Sequence, residues 1–172
     1  SRFVHMGMTS SDLLDTSLAI QCRESGIIIL EKLKKFHRVL RKRALEFKYS
    51  FQMGRSHGIH AEPITFGLKL AMWSEELRRN IVRWERAIDA ISIGQISGAV
   101  GTYQHIDPDV EIEVCKRLNL TAATISNQVV QRDGLAEYLS TLSVIGATLE
   151  KIAIEIRHLQ RTEVLEVEEY FQ

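Results

Sequence analysis

The stretch SDLLDTSLAIQCRESGIIILEKLKKFHRVLRKRALEFKY, residues 11–49, decides the fold class of this chain. A stripe of mostly apolar side chains recurs along it at steps of four, four and three residues: Leu14, Leu18, Cys22, Ser25, Ile29, Leu33, Phe36, Leu40, Ala44 and Phe47. The repeat averages about 3.67 residues per turn, which predicts one nearly straight α-helix with this stripe facing the core. Ser10 or Thr9 can cap its first turn, Asp12 suits the positive end of the helix dipole, and Gly26 is a tolerated interruption.

Three more helices are predicted downstream. The second begins at Pro63, because proline suits the first helical position, and the third is short, from Asp107-Pro108 to about Leu118. The last runs from about Gln131 to Tyr170. The predicted inward stripes of the two long helices are Leu70, Trp73, Leu77, Ile81, Trp84, Ile88 and Ile91, and Leu135, Leu139, Leu142, Gly146, Leu149, Ala153 and Ile156. No strand-like alternation of useful length is present.

The length of these segments favours an all-α fold, an elongated bundle of long helices. A helix of about 39 residues is about 58 Å long, which exceeds the width of a compact domain of this size. We therefore expect an oligomer to supply missing packing faces. The chain has no initiator methionine and stops straight after a helical pattern. Residues 1–172 are thus expected to be one central helical-bundle domain of a longer chain.

The composition excludes several classes of protein. Lys plus Arg and Asp plus Glu both number 22, so a zero formal net charge argues against nucleic acid as the main partner. The basic run Lys32–Arg43 is best interpreted as a solvated helix face. No apolar run approaches the roughly 20 residues that span a bilayer. Cys22 and Cys115 are far apart and without zinc-ligand spacing, which is typical of free thiols in the reducing cytoplasm.

Four polar loops interrupt the helices and hold the candidate functional residues: 5–12, 52–63, 94–107 and 121–133. Their side chains favour an anionic ligand, since hydroxyls and N–H groups at a helix start, guanidinium forks and amides all bind carboxylate or phosphate. A histidine in the second loop could donate a proton near neutral pH. The candidates are Thr9, Ser10, Ser11, Arg55, His57, Asn127, Gln128 and Arg132. The same residues also have plainer explanations: they could cap a helix, form a turn that reverses the chain, or simply be polar residues exposed to water.

The loops also resemble, in the same order, four motifs of the adenylosuccinate lyases, a family within the fumarase/aspartase superfamily. Residues 5–12, HMGMTSSD, resemble H-x-G-x-T-S-x-D, and residues 54–63, GRSHGIHAEP, resemble G-R-T-H-G-x-H-A-E-P. Residues 97–103, SGAVGTY, match the family's loop of that sequence, and residues 128–133, QVVQRD, resemble Q-x-x-Q-R-D. The four motifs are distributed along the chain from residue 5 to residue 133.

The resemblance implies the central domain of the fumarase/aspartase fold and a β-elimination that cleaves a C–N bond and releases fumarate. The implied substrates are adenylosuccinate, which gives AMP, and the succinyl-carboxamide ribotide of purine synthesis. His57 would be the general acid, and the implied substrate-binding residues are His5, Thr9, Ser10, Arg55, Ser56, Gln128 and Arg132. No metal or cofactor is implied. The family assembles as a homotetramer in which each active site takes loops from three subunits.

The chain departs from the family pattern in three ways. Ser56 stands where the family usually has threonine, which keeps the hydroxyl. The family's base is a serine in an S-S-x-M-P-x-K-x-N loop, and this sequence contains no such motif. A further active-site histidine from an N-terminal segment is also missing. We therefore expect this segment alone to be inactive.

Two alternatives stay open on the sequence. A sister enzyme, such as argininosuccinate lyase or a fumarase, would keep the helices and a histidine in the second loop. His60, Glu62 and the loop at residues 97–103 favour the purine substrate. A helical oligomerisation scaffold without chemistry is the other alternative, and the clustering of His, Arg, Thr, Ser and Gln in loops argues against it.

Overall fold

Four helices and two pairs of short strands make up residues 3–170, the part of the chain that this computed structural model describes. The helices are α1 (Ser10–Glu46), α2 (Phe66–Ile91), α3 (Pro108–Arg117) and α4 (Asp133–Leu159). The strands are β1 (Phe51–Ser56), β2 (Ile59–Thr65), β3 (Ile93–Gly94) and β4 (Thr121–Ala122). The predominance of helix confirms the predicted fold class. The expectations drawn from Ser1 and from Phe171-Gln172 lie outside the described residues.

The chain forms two compact units. Helices α1, α2 and α4 each contribute residues to both units. Unit 1 comprises residues up to Leu30 and the stretch Arg83–Thr141, and unit 2 comprises Glu31–Val82 and the chain from Leu142 onward. None of the helices in residues 3–170 is both long and apolar enough to cross a membrane.

The predicted stripe of α1 is right for its second half and wrong for its first. Leu33, Leu40 and Ala44 are buried, as expected, whereas Leu14 is 64% exposed. The buried side chains of the first half are instead Asp12, Asp15, Thr16 and Ala19. Apolar periodicity cannot detect this face, because three of these four side chains are polar and become buried through hydrogen bonds to distant loops.

Helix α2 has the predicted stripe, all of it buried, but it starts later than Pro63. Its N-cap is Thr65, whose Oγ1 accepts a hydrogen bond from the backbone N–H of Leu68 at 3.1 Å. Pro63 lies instead in β2, paired with Met53 of β1. Proline is tolerated there because a two-stranded hairpin has only edge strands.

The β1–β2 hairpin forms although the sequence shows no strand-like alternation of useful length. Its strands are antiparallel, with a bulge between Met53 and Arg55. Gly54 occupies the bulge, and a Cβ atom at this position would come within 2.3 Å of the carbonyl oxygen of Glu62. The hairpin escaped prediction because most of its residues are exposed, so no alternation of apolar and polar residues marks it.

Helix α3 has the predicted bounds, with Asp107 accepting a hydrogen bond from the N–H of Asp109. Helix α4 ends at Leu159, well before the predicted Tyr170. The carbonyl of Leu159 accepts hydrogen bonds from the N–H groups of Glu166 and Val167, so the chain folds back on the helix end.

The predicted inward stripe of α4 is also wrong, because Leu139, Leu149 and Ile156 are 52%, 41% and 36% exposed. The buried side chains are instead Tyr138, Ile145, Thr148, Ile152 and Leu159. Both faces of this helix are apolar, so the sequence pattern alone cannot tell which of them meets the chain's own core.

Candidate active site

Three of the predicted site residues occupy consecutive positions at the end of the β1–β2 hairpin in unit 2. Arg55 and Ser56 close β1, and His57 with Gly58 forms the two-residue turn. Both turn residues have positive φ, 55° and 75°, as a type I′ hairpin turn requires. His57 is exposed at this tip. The imidazole is therefore presented outward on a short, defined turn.

The guanidinium of Arg55 is already engaged within the chain. It donates to Glu166 through Nη1 to Oε2 at 3.0 Å and through Nη2 to Oε1 at 2.7 Å. The hydrogen bond from Arg55, together with bonds from the Gln52 side chain and the Met53 backbone, lowers the pKa of the Glu166 carboxyl. Arg55 also borders a cleft of about 400 Å³ whose walls include Lys69, His158 and Arg161. Arg55, predicted to bind substrate, thus has an internal carboxylate partner.

The remaining predicted residues belong to unit 1. Thr9 and Ser10 lie at the first turn of α1, where unpaired N–H groups and the helix dipole favour an anion. Ser10 is exposed and Thr9 half-buried. His5 precedes them in a turn with φ of 67°, and its carbonyl accepts from the N–H of Met8 at 3.3 Å.

Asp12 connects the start of α1 to the Gly-rich loop, residues 94–103. Its carboxylate accepts from the N–H of Thr9 at 2.9 Å, of Ser97 at 3.2 Å and of Gly98 at 3.1 Å. The side chain is completely buried. Backbone N–H donors thus satisfy both oxygens of this buried carboxylate.

Gln95 extends this connection to the segment that holds Gln128. Its Nε2 donates to the carbonyl of Gln128 at 3.0 Å and to that of Asn127 at 3.4 Å, and it approaches Oδ1 of Asp12 at 3.5 Å. All three neighbours are acceptors, so only one orientation of the amide is favourable. The backbone carbonyl of Gln128, an exposed residue, is therefore connected through Gln95 and Asp12 to the N–H of Thr9.

Arg132 has a partner on α1. Its Nη2 donates to Oδ1 of Asp15 at 2.9 Å, and the N–H of Val130 donates to Oδ2 of the same carboxylate at 2.8 Å. Arg132 and Asp15 border a cleft of about 470 Å³ with mostly apolar walls, which include Ile91 and Ile125. Neither Thr9, Ser10 nor Gln128 lines that cleft, so Arg132 is not gathered with them.

Glu111 of α3 holds the Gly-rich loop from its other side. Its carboxylate accepts from the N–H of Ile96 at 2.6 Å and from the hydroxyl of Tyr103 at 2.8 Å. Burial and then the bond to this carboxylate raise the pKa of Tyr103 to about 12. β3, paired in parallel with β4, fixes the start of the loop beside the segment that leads to Gln128.

Four functional candidates escaped the sequence reasoning: Asp12, Gln95, Glu111 and Glu166. Only Asp12 had a usable signal, since Thr9-x-x-Asp12 has the spacing of a capping box. The structure confirms one of the two hydrogen bonds of a capping box, in which the N–H of Thr9 donates to the carboxylate of Asp12. The other three act through contacts with residues that no local pattern identifies.

The chain has close relatives among proteins of known name. The adenylosuccinate lyase of Bacillus subtilis (strain 168) is 51% identical over 170 residues, which are 99% of this chain and 39% of that protein. The adenylosuccinate lyase of Thermotoga maritima is 53% identical over 172 residues, all of this chain and 40% of that protein. The chain thus spans about two-fifths of the length of these relatives.

Solved structures give the same result for the fold. A 3-carboxy-cis,cis-muconate lactonizing enzyme from Pseudomonas putida matches with a TM-score of 0.88 and 31% identity, over 95% of this chain and 37% of that one. A fumarate lyase from Mesorhizobium sp. BNC1 matches with a TM-score of 0.88 and 30% identity, over 95% and 39%. The Lyase family model matches residues 1–172 in full. The chain therefore belongs to the Lyase family of the fumarase/aspartase superfamily.

Proposed function

We propose that this chain is the central helical domain of an adenylosuccinate lyase, a C–N lyase of purine nucleotide biosynthesis. The observation that carries the proposal is the identity of 51–53% to adenylosuccinate lyases along essentially the whole chain. The parent protein would release fumarate from adenylosuccinate to give AMP, and from the succinyl-carboxamide ribotide. The free thiols of Cys22 and Cys115 support a reducing, cytoplasmic setting.

In the proposed reaction a base removes the proton next to a carboxylate of the succinyl group, the C–N bond breaks, and an acid protonates the departing nitrogen. His57 is the proposed acid, since an imidazolium can give a proton near neutral pH. Its place on an exposed hairpin turn supports this role, because a donor must reach the substrate nitrogen.

The carboxylates of the succinyl group need preorganised donors, because negative charge accumulates on one of them as the β-proton leaves. We propose that Thr9, Ser10 and Gln128 bind this group. The N-terminus of α1 and the buried bonds that join Thr9 to the Gln128 segment support the assignment. His5, Arg55, Ser56 and Arg132 complete the proposed substrate-binding set. The pairing of Arg55 and Arg132 with carboxylates favours an orienting contribution from both.

The isolated 172-residue chain is proposed to be inactive. None of its residues matches the serine base of the S-S-x-M-P-x-K-x-N loop. An acid without its base supports only part of the elimination. Purified chain that releases fumarate from adenylosuccinate at the rate of the parent protein would contradict this proposal.

We further propose that the parent protein is a homotetramer with shared active sites. Support comes from a stripe of α4 with alternating steps of three and four residues, all of them exposed in the chain except the half-buried Leu142: Leu139, Leu142, Gly146, Leu149, Ala153 and Ile156. That spacing is typical of a helix packed against another helix along its length. A second copy of the chain is the proposed neighbour.

The test is fumarate release by the full-length parent protein from adenylosuccinate, with argininosuccinate as the alternative substrate. His57→Gln should lower kcat about 10²- to 10⁴-fold, the usual contribution of a general acid. His37→Gln, at a half-buried position of α1 outside the proposed site, serves as the histidine control and should leave kcat unchanged. Turnover of argininosuccinate alone would favour a sister lyase, and no turnover of either substrate would favour a scaffold.

A further inference from the structure

Asp12 is more than an N-terminal cap. A capping box needs only the bond between its carboxylate and the N–H of Thr9. Two further N–H donors, Ser97 and Gly98, come from a loop 85 and 86 positions along the chain. The carboxylate is fully buried, so these bonds are shielded from competition with water.

The two oxygens of this carboxylate have different partners. Oδ2 accepts from Thr9 N and Gly98 N, and it therefore joins the start of α1 to the Gly-rich loop. Oδ1 accepts from Ser97 N and faces the Nε2 of Gln95 at 3.5 Å. The same Nε2 donates to the carbonyl of Gln128. A continuous set of hydrogen bonds thus runs from Thr9 through Asp12 and Gln95 to Gln128.

We propose that Asp12 is a positioning residue that, with Gln95, fixes Thr9 and Ser10 relative to Gln128, so that their donors meet both carboxylates of the substrate together. This inference rests on the proposed function, in which those three residues bind the succinyl group. Preorganised donors held by buried hydrogen bonds bind without first being ordered, so loss of Asp12 should act mainly on substrate binding.

Asp12→Asn in the full-length parent protein is the sharpest test, because it keeps the shape and replaces one oxygen by an NH₂ group. Whichever way the amide turns, that group faces either Thr9 N and Gly98 N or Ser97 N and Gln95 Nε2. Two of the four acceptor contacts therefore become contacts between donors. We expect KM for adenylosuccinate to rise about tenfold and kcat to fall by a smaller factor, because the same donors also meet the charge that develops in the transition state.

A second readout needs no substrate. Hydrogen exchange should become faster in Asp12→Asn at whichever of the Ser97 and Gly98 amides faces the new NH₂ group, since that N–H group loses its acceptor. Thr148→Val is the matched control: Thr148 is buried, and its hydroxyl bonds Asn80 and Glu76 in unit 2. The control should lower thermal stability but leave KM and exchange at Ser97 and Gly98 as in the wild type.

The outcomes separate this inference from the proposed function. Wild-type turnover with an unchanged KM and unchanged exchange in Asp12→Asn overturns the positioning role alone. Changes in KM and in hydrogen exchange no larger than those in Thr148→Val also overturn the positioning role. If the wild type does not act on adenylosuccinate, the proposed function fails and the exchange measurement still decides the role of Asp12. If Asp12→Asn does not fold, Gln95→Met takes its place, and an unchanged KM in that variant overturns the inference.

Discussion

Arg55 and Glu166, which are 111 positions apart in the sequence, form a bidentate ion pair with N–O distances of 3.0 and 2.7 Å. The pair joins β1, which leads directly into His57, to the chain that folds back after α4. Their side chains are 25% and 19% exposed, so the pair is partly shielded from water. It restrains the base of the turn that carries the proposed acid.

Replacing Glu166 by Gln should destabilise the protein by about 1 kcal/mol at pH 7, the upper range for a partly exposed ion pair. The pKa of Glu166 is lowered from its ordinary value of 4.5, mainly by the bond from Arg55. Its contribution is therefore present above pH 4.5 and is lost as the pH falls through the lower folded-state pKa. Urea unfolding of the wild type and Glu166→Gln between about pH 3 and pH 7 measures this difference.

Glu163→Gln is the matched control in the same segment, because Glu163 is 76% exposed and its oxygen lies 3.9 Å from Arg161 Nε. The control should leave the urea midpoint unchanged. Equal effects of the two substitutions at every pH would show that the Arg55 pair contributes nothing to stability.

Tyr103→Phe should destabilise the protein by about 1.5–3 kcal/mol, the usual range for a hydrogen bond to a charged group. The substitution removes a donor from Glu111, which is buried and holds the Gly-rich loop. Because the pKa of Tyr103 is raised to about 12, this contribution should be complete below pH 10 and disappear as the pH approaches 12.

Ultraviolet titration provides the measurement for Tyr103. The wild type should show a tyrosine that ionises near pH 12, and Tyr103→Phe should lack that step. Tyr49→Phe, at an 80% exposed position, is the control and should retain it. Burial also raises the pKa of Tyr138, so the assignment is contradicted if Tyr103→Phe keeps as many late-ionising tyrosines as the wild type.

Gly26→Ala tests the close approach of α1 and α2 in unit 1. A Cβ atom there would lie 2.8 Å from Ile88 Cγ1, and the carbonyl of Gly26 accepts from Trp84 Nε1 at 2.9 Å. Overpacking of this kind costs about 1–3 kcal/mol, which exceeds the gain of about 0.5–1 kcal/mol from alanine in a helix. We expect a lower urea midpoint.

The same substitution at Gly146 is the control, because a Cβ atom at that position meets no atom within 4 Å in the chain. In the monomeric chain, Gly146→Ala should therefore raise the urea midpoint, by the equivalent of about 0.5–1 kcal/mol. A gain in stability at both positions would mean that Ile88 moves aside without cost.

Much of the helical scaffold could be predicted, and the reasons for the failures are physical. Most residues of α2 outside its apolar stripe are polar or charged, so periodicity located that stripe in full. The first half of α1 buries Asp12, Asp15 and Thr16, which a search for apolar residues passes over. The turn at His57 depends on two positive φ angles in a His-Gly pair, which has no strong hairpin preference.

The candidate site likewise contains residues that the sequence predicts and contacts that it does not. Thr9, His57 and Gln128 were predicted as site residues because they stand in motifs with a recognisable order, whereas Glu166 was not predicted because its ion pair is with a partner 111 residues away. A single sequence contains no direct record of such a pairing. The chemical type of a residue was therefore easier to predict than the contacts that orient it.

The exposed stripe of α4 allows the proposed tetramer to be tested in the full-length protein. Leu149 lies near the middle of the stripe, and Leu149→Glu would place a carboxylate where the proposed partner helix packs. An unpaired buried charge costs several kcal/mol, and closed symmetry repeats the change in every subunit, so light scattering should show dissociation. Leu45→Glu changes another exposed leucine, outside the stripe, and should keep the wild-type mass. A tetramer that survives Leu149→Glu would place the subunit interface on another face, since a helix–helix seam cannot bury four unpaired carboxylates and stay closed.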